Sequence, residues 1–189
     1  MNIKTRPFTQ KEIHSLFEVS PVDWRHIFRL AYVTALRVSD LINLDAKDPG
    51  IELSVIEGKT KKLKKIIVGP VVRSAFDFFL NPEYRKSIDK YESTRKDKLL
   101  PFGDSSTYRK ATTRFAAYAM IDLNRISFHS FRKTAATEIT KNLGIFAAQK
   151  FLNHSRITTT MLYIDQDAIE VSSLLEACNL LKDAENEQN

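Results

Sequence analysis

"FHSFRKTAAT" at residues 128–137 and "FLNHSRITTTMLYI" at residues 151–164 decide how this chain is read. The first stretch puts His129 and Arg132 three residues apart, on one turn of a helix. The second adds His154 and Tyr163 about one helical repeat later. Either these are ordinary core and surface residues of a helical domain, or they converge on one phosphate. Singly, each has a plain structural reading. Tyr163 suits a core, His154 a satisfied structural site, and His129 with Arg132 an exposed polar stripe. Arg37 fits less comfortably. It interrupts the apolar helix end "YVTALRVSDLINL", residues 32–44. A charge placed there must find a partner or cost several kcal/mol.

Outward from these stretches, composition narrows the class. A chain of 189 residues with 43% apolar residues and 12 Phe is long enough for one compact domain with a real core. A single cysteine, Cys178, excludes a disulfide framework or a Cys-rich zinc site. The start "MNIKTRPFTQ" carries no apolar signal region, and no apolar run approaches membrane-spanning length. A reducing cytoplasm without membrane attachment is therefore expected. Net charge is +6, unevenly spread. Residues 165–189 hold seven acids and one lysine, −6, so residues 1–164 carry +12. A basic body with an acidic tail suggests a polyanionic partner, although a solvated basic surface explains the charge equally well.

Periodicity predicts a mainly α fold with a small antiparallel β-sheet. "FTQKEIHSLFE" (8–18) opens with a capping box, Thr9 with Glu12. Ser20-Pro21 reads as an N-cap and first position, followed by an apolar stripe of Trp24, Ile27, Phe28, Ala31 and Ala35. A short helix capped by Ser39 is expected next. "IELSVIEGKTKKLKKIIVG" (51–69) alternates and then turns β-branched, which predicts a hairpin whose turn holds Gly58 to Lys62. Pro70 starts a further helix. Residues 81–98 read as a charged surface loop. Helices are expected over 105–121, 129–142, 145–152, 158–163 and 166–182, with Gly144 as a C-cap. The expected organisation is one domain over 1–182 and a frayed acidic tail over 183–189.

What chemistry would need Arg, Lys, His, Arg, His and Tyr together? Phosphoryl transfer needs cations on the nonbridging oxygens, and the planar fork of Arg suits them. It needs a nucleophile, and a phenol qualifies. It needs a proton donor for the leaving oxygen, which Lys can supply, and a group to position the phosphate or accept the phenolic proton, which His can be. No Gly-rich phosphate loop or carboxylate cluster points to ATP or a metal.

The ordered set resembles the catalytic domain of the tyrosine recombinases, the phage-integrase family. "TALRVSDLINL" (34–44) is similar to the family's first-arginine motif, and "EGKTKK" (57–62) to the hairpin turn carrying its lysine. "HSFRKTAAT" (129–137) resembles its His-x-x-Arg helix, and "FLNHSRITTTMLYI" its block ending in the nucleophile. Ala35 and Asn153 stand where the family commonly has Gly. The resemblance implies that Tyr163 attacks the scissile phosphate of DNA to form a 3′-phosphotyrosine. It implies that Arg37 and Arg132 clamp that phosphate, that Lys59 protonates the leaving 5′ oxygen, that His129 assists with the phenolic proton, and that His154 contacts a phosphate oxygen. Lys61, Lys62, Lys64, Lys65, Lys133 and Arg156 are expected to bind DNA. No cofactor or metal is implied. The implied partner is double-stranded DNA with specific recombination sites, engaged by a homotetramer that accessory DNA-bending proteins could assist. The family's N-terminal DNA-clamping domain has no counterpart in the sequence, so autonomous tight binding is not expected. Type IB topoisomerase activity uses the same chemistry without partner exchange. A helix-turn-helix regulator over 137–164 is a rival from another class, but it leaves Arg37, Lys59 and His129 unexplained.

Overall fold

The computed structural model describes residues 5–89 and 95–164. Over these the chain forms nine helices and one hairpin. The order is α1 (Gln10–Val19), α2 (Val22–Thr34), α3 (Val38–Leu41), β1 (Glu52–Ile56), β2 (Leu63–Ile67), α4 (Pro70–Leu80), α5 (Pro82–Asp89), α6 (Ser105–Tyr118), α7 (His129–Leu143), α8 (Ile145–Phe151) and α9 (Ile157–Met161). The mainly helical fold with a small antiparallel sheet is the expected one. The segments expected at 166–182 and 183–189 lie outside the described residues. Among the described residues no helix is long and apolar enough to cross a membrane.

Local signals set most boundaries. The capping box forms: the Thr9 hydroxyl accepts from the Glu12 amide at 3.2 Å, and the Glu12 carboxylate accepts from the Thr9 amide at 2.8 Å. Gly144, with φ +82°, separates α7 from α8. Three expectations need correction. Ser20 does not cap α2, because its hydroxyl donates back to the Leu16 carbonyl and Pro21 takes the cap position. Ser39 lies inside α3, with Arg37 at its N-cap. Residues 82–89 are helical rather than a loop, since the Asn81 side chain accepts from the amides of Glu83 and Tyr84. Asn81-Pro82 is an ordinary helix start that a charged, weakly periodic surface had obscured.

The core is aromatic and fixes α2 against α7. Phe28 of α2 stacks on Phe131 of α7, with centroids 5.0 Å apart and planes at 24°. Phe8 also packs on Phe131, with centroids 5.1 Å apart, and Trp24 packs on Tyr108 at 5.7 Å. A second, smaller cluster joins Ala35, Ala135, Ala136 and Leu152. Its small side chains let the end of α2 approach α7 closely. In the hairpin Glu52 pairs with Ile67 and Ile56 with Leu63. The two-residue period turns Val55, Lys64 and Ile66 inward together.

Phe131 precedes Arg132 and carries the α2–α7 contact. Phe131→Ala should cost about 3–5 kcal/mol. At roughly 2–4 °C per kcal/mol for this size, thermal unfolding followed by circular dichroism should shift down by on the order of 10 °C. A shift under about 3 °C would mean that the contact does not hold the two helices together.

Candidate active site

Arg132 is the centre of the site. It lies on the first turn of α7 and is 1% exposed. One Nη donates to the Ala35 carbonyl. The other donates to the Leu152 carbonyl at 2.9 Å and faces His154 Nε2 at 3.1 Å. Its Nε is buried and has no hydrogen-bond partner. A buried N–H on a cation with nothing to donate to is costly, unless an arriving anion completes it.

The histidine beside it is defined by this contact. A guanidinium can only donate, so His154 Nε2 accepts and the ring proton sits on Nδ1. Nδ1 then donates to the Thr160 hydroxyl at 3.1 Å. The Thr160 carbonyl accepts from the Tyr163 amide at 2.8 Å. One fully buried threonine thus joins the histidine to the tyrosine, at the end of α9. The Tyr163 ring lies 5.0 Å from His154 and 5.1 Å from His129, centroid to centroid, and 5.4 Å from the Arg132 guanidinium carbon. Burial and the positive charge of Arg132 push both histidines down to about 4. Lys133, Arg37 and Lys59 add to the effect at His129. Both rings are therefore neutral at pH 7. The resemblance implies that His154 contacts a phosphate oxygen; its Nε2 faces the Arg132 guanidinium.

Arg37 finds the partner that the sequence demanded. Its Nη1 pairs with Glu57 Oε1 at 2.7 Å and lies 3.8 Å from Asp40 Oδ2. Glu57 is fully buried, and its Oε1 is also 3.9 Å from Arg132 Nη1. Asp40, 4% exposed, accepts from the Gly58 amide at 2.9 Å. A Cβ at Gly58 would meet this carboxylate at 3.3 Å, so the turn closes tightly on it. Burial first, then Arg37, draw the Arg132 pKa below its usual value.

The hairpin lysines separate into different roles. Lys59 is exposed in the turn, near enough to His129 to depress its pKa. Lys61 is exposed with φ +56°, and Lys62 bonds the Ser155 hydroxyl. Lys65 is exposed and pairs with Glu52 at 2.9 Å. Lys64 departs from the expected surface position. It is 4% exposed, donates to the Thr34 carbonyl at 2.6 Å and lies 4.8 Å from the Phe151 ring centroid. Burial, then Arg132, lower its pKa to about 7. Ile66 must face the core, and the strand period takes Lys64 with it. Arg156 is exposed at the start of α9, and Lys133 is half-buried on α7. Glu57, Asp40 and Thr160 were not singled out from the sequence, and Lys64 was expected only as a DNA contact. Only Lys64 carried a local signal, its alternation with Ile66. Among the described residues no cluster of three or more His, Cys, Asp or Glu could hold a metal.

A mainly helical domain with two arginines, two histidines and a tyrosine gathered in one place is the architecture of a tyrosine recombinase catalytic domain. The sequence profile of the phage integrase family matches residues 6–170, and the chain belongs to that family. The tyrosine recombinase XerA of Pyrococcus furiosus is 31% identical over 95% of this chain and 64% of its own length. The tyrosine recombinase XerC of Caldanaerobacter subterraneus is 27% identical over 76% of this chain and 40% of its own. The chain thus spans about two fifths to just under two thirds of these relatives. In fold it is similar to a crystal structure of XerA recombinase, with TM-score 0.70 and 23% identity over 93% of this chain and 65% of that one.

The neutral histidines link the site to stability. Their folded pKa values lie below the unfolded value of about 6.5, so the unfolded chain binds more protons between about 6.5 and 4. The histidine contribution to stability is complete above that window and is lost as the pH drops through it. Each histidine contributes a slope of up to about 1.4 kcal/mol per pH unit. Urea unfolding of the wild type across the window should show this decline, and His129→Gln should make it shallower. Equal slopes would mean that His129 is not buried as a neutral ring.

Proposed function

We propose that this protein breaks and rejoins DNA strands at specific sites through a covalent 3′-phosphotyrosine. The observation that carries the proposal is the Tyr163 ring held within 5.0–5.4 Å of His154, His129 and the Arg132 guanidinium. Arg132, whose guanidinium carbon lies over that ring, keeps one N–H without a hydrogen-bond partner.

In the proposed step the Tyr163 oxygen attacks the scissile phosphorus. His129, neutral at pH 7, accepts the phenolic proton. The phosphate oxygens lie between Arg37 and Arg132, whose charges stabilise the transition state. The bond from phosphorus to the 5′ oxygen breaks, and Lys59 protonates that oxygen. Rejoining reverses each transfer. An arriving phosphate offsets the cations that depress both histidines, so His129 becomes a better base when DNA is bound. His154, its basicity raised in the same way, can take up a proton from solvent at Nε2 and pass from accepting an Arg132 hydrogen bond to donating one to the phosphate, with Nδ1–H kept on Thr160. Lys61, Lys62, Lys65, Lys133 and Arg156 contact the backbone. Lys64, being buried, supports the site from beneath.

The assembly reading is also a proposal. The comparison structures include a lambda integrase tetramer bound to a Holliday junction. We infer the same class of partner here, duplex DNA carrying recombination sites, engaged by several copies of this chain. This chain acts as the catalytic domain of that assembly.

Two outcomes test the chemistry. Tyr163→Phe should abolish the protein–DNA species that survives denaturing electrophoresis after incubation with nicked duplexes, while leaving DNA binding nearly intact. An adduct formed by the variant would remove Tyr163 from the mechanism. Adduct formation by the wild type should persist in excess EDTA, because arginine and lysine supply the positive charge. Loss with EDTA and recovery with magnesium would contradict that charge assignment.

A further inference from the structure

We infer that Glu57 is the positioning residue of the site. Through one buried carboxylate it fixes the direction of Arg37 and ties together the three loops that carry Arg37, Lys59 and His154. This rests on the proposed phosphate chemistry but goes beyond it, because Glu57 touches no reacting atom.

The geometry is specific. Glu57 follows β1 directly and is 0% exposed. Oε1 accepts from Arg37 Nη1 at 2.7 Å. Oε2 accepts from the Thr60 hydroxyl at 2.9 Å and from the Asn153 amide at 3.3 Å. Thr60 is next to Lys59, and Asn153 is next to His154. The backbone of Glu57 closes the neck of the hairpin: its amide donates to the Lys62 carbonyl at 2.9 Å, and its carbonyl accepts from the Lys61 amide at 2.8 Å. The carboxylate therefore cannot drift without the turn.

Its effect on Arg37 follows from donor geometry. A guanidinium has five N–H donors in a fixed plane. Among the described residues, the hydrogen bonds and ion pairs of the Arg37 side chain all run through Nη1. Pinning that corner sets the plane and leaves Nε and Nη2 for an incoming anion. The same negative charge offsets Arg37 and Arg132, which otherwise repel one another across the site. Asp40 cannot replace it. Its Oδ2 lies 3.8 Å from Arg37 Nη1, beyond hydrogen-bond distance, and has no hydrogen-bond partner.

The test separates positioning from folding and from the chemistry itself. Duplexes are first recovered from a randomised nicked pool by covalent capture with the wild type. Single-turnover adduct formation on them is then compared for wild type, Glu57→Gln, Arg37→Lys and the double variant. Glu57→Gln should slow adduct formation on the order of tenfold to a hundredfold, as expected for a mis-set clamp. DNA affinity should stay within about threefold, since it is set by many phosphate contacts. In the double variant the two losses should combine to clearly less than their product, because both changes act on the Arg37 guanidinium while only one also touches Thr60 and Asn153. If Glu57→Gln fails to fold, Glu57→Asp takes its place, keeping the charge but shortening the reach. Nitrogen NMR of the Arg37 guanidinium gives a readout independent of activity. Its Nη signals should be resolved in the wild type and averaged in the Glu57 variant. Wild-type rates in the variant, losses that multiply in the double variant, or averaged Nη signals in the wild type would each overturn the inference. A wild type that forms no adduct while its Arg37 signals stay resolved would sink the recombinase reading and leave the positioning role standing.

Discussion

Burial of the Arg132 guanidinium is the constraint on which the site depends. A cation 1% exposed has to be hydrogen-bonded on all sides or offset by charge. Here it is met by the Ala35 and Leu152 carbonyls and by His154. Those partners come from the end of α2 and the turn after α8, so the demand of one side chain draws three segments together. The backbone bends to meet it. Ala35 (φ +46°) and Asn153 (φ +58°) both occupy the left-handed region, beside or at the segments that contact Arg132. Such a conformation costs a non-glycine residue roughly 1–2 kcal/mol. Asn153 offsets part of this with side-chain bonds to Glu57 and the Leu63 carbonyl. The glycines that the family commonly has at these two positions now have a physical reason.

Around that anchor the site is a balance of charge. Arg37, Arg132 and the nearby Lys64 would repel one another if left alone. Glu57 and Asp40 offset them, and both histidines stay neutral. One donor of this balance has no acceptor, the buried Arg132 Nε. A phosphodiester brings one negative charge and several acceptors to that place. Its arrival would strengthen the basicity of His129 at the point where a base is required.

Much of this was legible in the sequence because the informative residues recur in order along helices. His129 and Arg132 share one turn, and Thr9 with Glu12 forms its box locally. The uncomfortable Arg37 announced that a partner existed. Which partner was not legible, since the pair spans twenty residues across a hairpin and obeys no helical period. Lys64 was misjudged as surface because it sits in a lysine run, although its alternation with Ile66 carried the correct answer. The helix at 82–89 was hidden for a similar reason, a charged composition masking the Asn81-Pro82 start. Thr160 stood inside a motif already recognised, but its double role needs the three-dimensional turn to be seen.

The central claim is that the Tyr163 oxygen becomes bonded to DNA phosphorus. Peptide mapping of the captured adduct addresses this directly, by nuclease trimming, tryptic digestion and mass spectrometry. The account predicts that the nucleotide mass resides on the peptide covering residues 157–182, with fragmentation placing it on Tyr163 through a 3′-phosphate. Attachment to any other side chain, or through a 5′-phosphate, would contradict it.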